Sequence, residues 1–81
     1  MKVVVLFFAA AREKAGTDRR VVEVGDAATV ADVWKRLAAD SPSLASVLPS
    51  CRAAVDEAFA PPTAPLRDGA TLAVLPPVSG G

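Results

Sequence analysis

The stretch Lys2-Val3-Val4-Val5-Leu6-Phe7-Phe8-Ala9 is dense in β-branched and aromatic side chains and stops short of the charged run Arg12-Glu13-Lys14. That composition and length predict a strand over residues 2–9 rather than a long buried helix. Side chains alternate across a strand, so Val3, Val5 and Phe7 share one face while Val4, Leu6 and Phe8 share the other. Both faces are apolar, and the rest of the chain, or a partner, has to cover them.

Downstream, residues 10–15 can form a turn of helix that Gly16 ends, and residues 20–24 read as a second strand, close enough in sequence to pair antiparallel with the first. Thr29 then stands as an N-cap, with Val30, Val33, Trp34, Leu37 and Ala38 at i, i+3, i+4, i+7 and i+8, one apolar stripe on one amphipathic helix. Trp34 lies on that stripe and reads as core. Asp32 occupies the capping-box position, and Ser41-Pro42 closes the element, because a residue before proline resists the helical region.

Residues 43–48 read as a short helical stretch broken by Pro49, and Arg52–Val55 as a strand, with Asp56-Glu57 turning into Ala58-Phe59. Pro61, Pro62 and Pro65 make a loop of fixed path, Asp68-Gly69 a tight turn, and Thr71–Leu75 the last strand before Pro76-Pro77 stops pairing. The expected architecture is α+β: a mixed sheet with one main helix on one face. One short helix covers one face of such a sheet and leaves the other open.

Composition narrows the chemistry. The chain has 81 residues, enough for one domain, and nine basic side chains balance nine acidic ones. A net charge of zero offers no broad positive field for phosphates, so nucleic acid is not an expected partner. There is no histidine and one cysteine, Cys51, which excludes a His/Cys metal cluster, a disulfide within the chain, and Cys-His or Ser-His pairs. Cys51 itself reads as a small buried or half-buried residue. The longest apolar run, residues 3–11, is far short of the roughly 20 residues that span a bilayer. It also makes a poor secretory signal, so the expectation is a cytoplasmic protein with no membrane partner. Any reactive group has to lie outside the usual catalytic side chains.

The end of the chain supplies one. Pro76-Pro77-Val78-Ser79-Gly80-Gly81 leaves the last strand on two prolines that favour an extended path and ends on two residues without side chains. At about 3.3 Å per residue, six extended residues reach roughly 20 Å, and glycines pass a channel too narrow for a Cβ. Such a tail suits delivery of a terminal carboxyl group into another protein's active site. The division expected is a domain over residues 1–75 and a flexible Gly-Gly tail over 76–81.

Together with Leu6-Phe7-Phe8-Ala9, Arg12-Glu13, Gly16-Thr17, Thr29-Val30, Leu37, Ala53-Ala54-Val55, Pro65-Leu66 and Asp68-Gly69, this ending resembles the small, sulfur-carrying subunits of molybdopterin synthase, a ubiquitin-like β-grasp family. Asp56 departs from the Asn common in that family's turn, a change that keeps the turn geometry. The resemblance implies a sulfur carrier with no bound cofactor. An ATP-using adenylyltransferase akin to ubiquitin-activating enzymes would activate the Gly81 carboxylate, and a sulfurtransferase would convert it to a thiocarboxylate. The large synthase subunit would then receive the tail, with Gly80 beside the reactive residue, and pass the sulfur to a cyclic pterin monophosphate. Matched residue by residue, the partner-binding positions are Phe8, Arg12, Phe59, Leu75, Pro76, Pro77, Val78 and Ser79, with Phe8, Phe59 and Leu75 expected as one patch on the open sheet face. Alternatives at this stage are a carrier for thiamine thiazole or amino-acid biosynthesis, or a ubiquitin-like protein modifier.

Overall fold

The computed structural model describes residues 1–77. Its elements run β1 (Lys2–Phe7), α1 (Ala9–Ala15), β2 (Arg19–Glu23), α2 (Val30–Asp40), α3 (Pro42–Ala45), a 3₁₀ turn (Leu48–Ser50), β3 (Arg52–Val55), β4 (Ala58–Ala60) and β5 (Thr71–Leu75). The five strands form one sheet in the order β2-β1-β5-β3-β4. β1 pairs antiparallel with β2 and parallel with β5, and β3 pairs antiparallel with both β5 and β4. This is the mixed sheet of the ubiquitin-like β-grasp fold, with the last strand inserted at its centre.

The alternation read from β1 is realised: Val3, Val5 and Phe7 are buried, and with Val22, Ala53, Leu72 and Val74 they make the covered face. Val33 and Leu37 of α2 complete that core, joined by Ala11 of α1 and Leu44 of α3. The expected single helix is therefore the main cover, with two short helices on the same side. Trp34 is half-buried rather than core; its indole N–H donates to the Leu48 carbonyl at 3.1 Å, so its ring packs with one edge held at the surface.

β1 is shorter than predicted. Phe8 has an extended backbone but caps α1, and Ala9, at φ +49°, turns the chain into that helix. At the other end of α1, Gly16 takes φ +74° and donates its N–H to the Arg12 carbonyl, a left-handed cap that glycine adopts without a Cβ penalty. The predicted helix over 43–48 is divided: Ser41 ends α2 and caps α3, and Pro49 sits within the 3₁₀ turn instead of breaking a helix. Proline is accepted there because an early helical position has no internal partner for an N–H.

The proline loop does more than connect. The N–H groups of Val30 and Ala31 donate to the carbonyls of Ala64 and Pro62 at 3.0 and 2.9 Å, while Asp32 N–H donates to the Thr29 hydroxyl at 3.4 Å. Three of the orphan donors at the start of α2 are thereby satisfied. Thr29 also forms a bridge with Pro65, since Leu66 N–H reaches the Ala28 carbonyl and proline's missing N–H is not needed.

Candidate functional site

Strand register defines the face that no helix covers. One row runs across all five strands as Arg19, Leu6, Ala73, Ala54 and Phe59. A second pairs Leu75 with Arg52, and a third aligns Val21, Val4 and Thr71. Small residues at the centre, Ala73 and Ala54, leave a shallow basin of about 450 Å³ bordered by Leu6, Phe8, Asp56, Glu57 and Thr71. Exposed apolar side chains gather around it: Phe8 at 46%, Val21 at 51% and Phe59 at 73% of full exposure. Isolated exposed apolar residues are ordinary, but a contiguous set on one uncovered sheet face is what an interaction surface looks like.

The structure places the residues singled out from sequence as follows. Phe59 and Leu75 lie on the uncovered face by register, and Phe8 borders the same basin one residue beyond the end of β1. Leu75 is half-buried. Arg12 is exposed on α1, the helix that starts at Phe8 and packs against β1 and β5. Pro76 and Pro77 leave β5 along a groove of about 470 Å³ that they line with Ser50, Arg52, Phe59 and Leu75. Val78, Ser79, Gly80 and Gly81 lie outside the described residues. The sheet thus brings Phe59, Leu75 and the start of the tail onto one face with Phe8 at its border, whereas Arg12 belongs to α1, which packs on the covered side.

Sequence reasoning missed Arg19 and Arg52 as part of this face. Both are exposed, and only register, with β5 between β1 and β3, sets them in rows with Leu6 and Leu75. It also missed the geometry of the Asp56-Glu57 turn, where both residues have positive φ, +48° and +74°. Asp56 pins the turn to the start of β5: its Oδ1 accepts the Thr71 N–H at 3.0 Å and its Oδ2 lies 3.3 Å from the Arg67 guanidinium. Among the described residues the Glu57 side chain forms no such bond, and its backbone, at φ +74°, holds a left-handed conformation that favours glycine or asparagine.

Cys51 is the one thiol able to carry sulfur covalently. It is half-buried, its Sγ–H donates to the Val47 carbonyl at 3.2 Å, and burial pushes its pKa up. Both effects favour the thiol over the nucleophilic thiolate. A second groove, about 430 Å³ between α2 and the β3-β4 edge, is lined by Trp34, Cys51, Phe59, Pro61 and Pro62 and has no convergent polar groups beyond Arg52. Among the described residues, no group of three or more His, Cys, Asp or Glu side chains is arranged to hold a metal ion, and no helix is long and apolar enough to cross a membrane.

Comparison with known proteins agrees with this geometry. The ThiS family model matches residues 5–81. The molybdopterin synthase sulfur carrier subunit of Chlamydomonas reinhardtii is 37% identical, with all of both chains covered. Among solved structures, SAMP1 from Haloferax volcanii superposes with a TM-score of 0.91 at 28% identity, covering the whole of each chain. A putative molybdopterin converting factor subunit 1 from Pyrococcus furiosus gives 0.88 at 26% identity, over 96% of this chain and 99% of that one.

Proposed function

The chain belongs to the ThiS family, and from that premise we propose that it is the sulfur-carrier subunit of a molybdopterin synthase, holding sulfur as a thiocarboxylate on Gly81. The observation that carries the reading is the exit of the tail: β5 is the central strand, and Pro76-Pro77 leaves it beside an apolar, uncovered sheet face. A docking surface and a tail ending on two residues without side chains are what a carrier requires; the bases and phosphate-binding groups belong to its partners.

A carboxylate is a poor electrophile, so ATP supplies the driving force: adenylation of Gly81 releases pyrophosphate, and a sulfur nucleophile then displaces AMP. In the large subunit, the thiocarboxylate sulfur forms a bond to a side-chain carbon of a cyclic pterin monophosphate as the C–O bond at that carbon breaks and its oxygen leaves, and water then cleaves the acyl–sulfur bond, leaving sulfur on the pterin and returning the Gly81 carboxylate. The protonated, half-buried Cys51 favours Gly81 over a cysteine persulfide as the carrying group. The test is intact mass after incubation with the activating enzyme, ATP and a sulfur donor. A one-for-one exchange of oxygen for sulfur, mapped to the C-terminal peptide, is expected; sulfur on Cys51, or none, overturns the reading.

A second reading, a modifier joined through Gly81 to lysines of other proteins, draws on the 0.91 superposition with SAMP1. In the same experiment it predicts stable protein conjugates resistant to thiol reductant.

A further inference from the structure

The two arginines of the uncovered face stand at the same end of its strands. At the end where β1 and β5 run out and the tail leaves, the strand residues on this face are Leu6, Ala73, Leu75, Ala54, Phe59 and two charged ones, Arg19 and Arg52. Both guanidinium groups are on exposed residues, and neither forms an ion pair among the described residues. At the opposite end the signs are mixed: Glu23 is paired in register with the exposed Lys2, Asp56 lies 3.3 Å from the Arg67 guanidinium, and Glu57 adds a third acid. Glu13 and Asp18 belong to α1 and to the bend before β2, not to the strand rows.

Arg19 is on β2 and Arg52 on β3, so β1 and β5 separate them. Three strand spacings set the two backbones about 14 Å apart. Between them lie Leu6, Ala73 and Leu75, with Phe8 at the rim. Between β2 and β3 the tail half of the face is therefore an apolar strip with a cation on each side, and beyond Arg52 the apolar surface resumes at Phe59 on β4.

We propose that the large-subunit surface receiving this strip is an apolar ridge bordered on both sides by carboxylates, one meeting Arg19 and the other Arg52. This rests on the function proposed above and names the chemistry of its partner. Apolar area in the centre supplies affinity, while flanking charges steer encounter and set the direction in which the tail enters. An entering surface turned end for end forfeits both arginine contacts and meets three acids against two cations, Glu23, Asp56 and Glu57 with Lys2 and Arg67, which disfavours the docking that points the tail away.

The test measures binding of the full chain to the large subunit of the same source at low and high salt, for wild type, Arg19→Glu, Arg52→Glu and the control Glu23→Arg. Each arginine reversal is expected to slow association and weaken binding by about tenfold or more at low salt, and the loss is expected to shrink at high salt. Arg19→Gln and Arg52→Gln, which keep a long polar side chain, should give smaller losses with the same salt dependence. Glu23→Arg should bind like wild type. Reversals that bind as well as wild type or more tightly overturn the inference, as does an equal loss in Glu23→Arg. Failure of wild type itself to bind overturns the proposed function instead, and the inference with it.

Discussion

The chain's three phenylalanines form a graded series, 2% exposed for Phe7, 46% for Phe8 and 73% for Phe59, and truncating each one to alanine separates folding from docking. A phenylalanine offers roughly 200 Å² to burial, so the quarter of Phe59 hidden in the free chain contributes only about 1 kcal/mol to folding. The three-quarters left exposed, about 150 Å², is worth up to ~4 kcal/mol if a partner covers it, and about 2–3 kcal/mol after ordering costs. Phe59→Ala is thus expected to lower Tm by no more than about 8 °C while weakening binding to the large subunit by roughly 30- to 150-fold. Phe7→Ala, which opens a core cavity, should cost about 3–5 kcal/mol of stability. Thermal unfolding followed by circular dichroism reads the first quantity and titration calorimetry the second. If Phe59→Ala destabilises the chain as much as Phe7→Ala, or leaves the affinity unchanged, the uncovered face is not the docking face.

Deleting Gly81 should abolish sulfur loading, read by intact mass, while Tm stays at the wild-type value; loading that survives the deletion removes the tail from the chemistry. Glu57→Gly should raise stability by about 0.5–1 kcal/mol in urea denaturation, because relief of about 1–2 kcal/mol of left-handed strain exceeds glycine's entropic cost; a loss of stability would show that the Glu57 side chain contributes contacts of its own. Bonds from the Thr29 backbone N–H and hydroxyl hold the Asp32 carboxyl below its ordinary value of 3.8. A depressed carboxylate stabilises the fold fully above its unfolded pKa and loses that contribution as pH falls through the folded value. The urea midpoint of wild type should therefore fall more steeply in acid than that of Asp32→Asn, and parallel curves down to pH 2 would count against the capping box. Cys51→Ala should load sulfur as wild type does.

The covered half of the molecule was legible because its signals are local. Val3, Val5 and Phe7 announce a buried face by alternation, and Thr29 with Asp32 announces the start of α2 by side-chain chemistry alone. The boundary at Phe8 was not legible, since phenylalanine suits a strand interior as well as the extended residue ahead of a helix. Neither was the division around Pro49, where proline fits an early helical position as readily as it breaks a helix. In the candidate site, Phe8, Phe59, Leu75 and the start of the tail at Pro76-Pro77 could be named by residue type and resemblance. Arg19 and Arg52 could not, because their relation to Leu6 and Leu75 exists only once β5, far away in sequence, has come between β1 and β3. Charges separated by 33 positions have no local signature.

The central place of β5 also governs when the chain can fold. β1 is made first and β5 last, yet β5 is the strand that joins the β1-β2 pair to the β3-β4 hairpin, with Val4 paired to Thr71 and Ala54 to Ala73. During synthesis from the N-terminus the two halves of the sheet have nothing between them until residues 71–75 emerge, and such distant pairing is slow to form. A ribosome that stalls before Leu72 releases a chain with no seam down the middle of its sheet, a substrate for proteases rather than a folded competitor for the docking surface. Cooperative folding thereby acts as an inspection of synthesis: a copy able to occupy a partner has already been translated to the threshold of its tail.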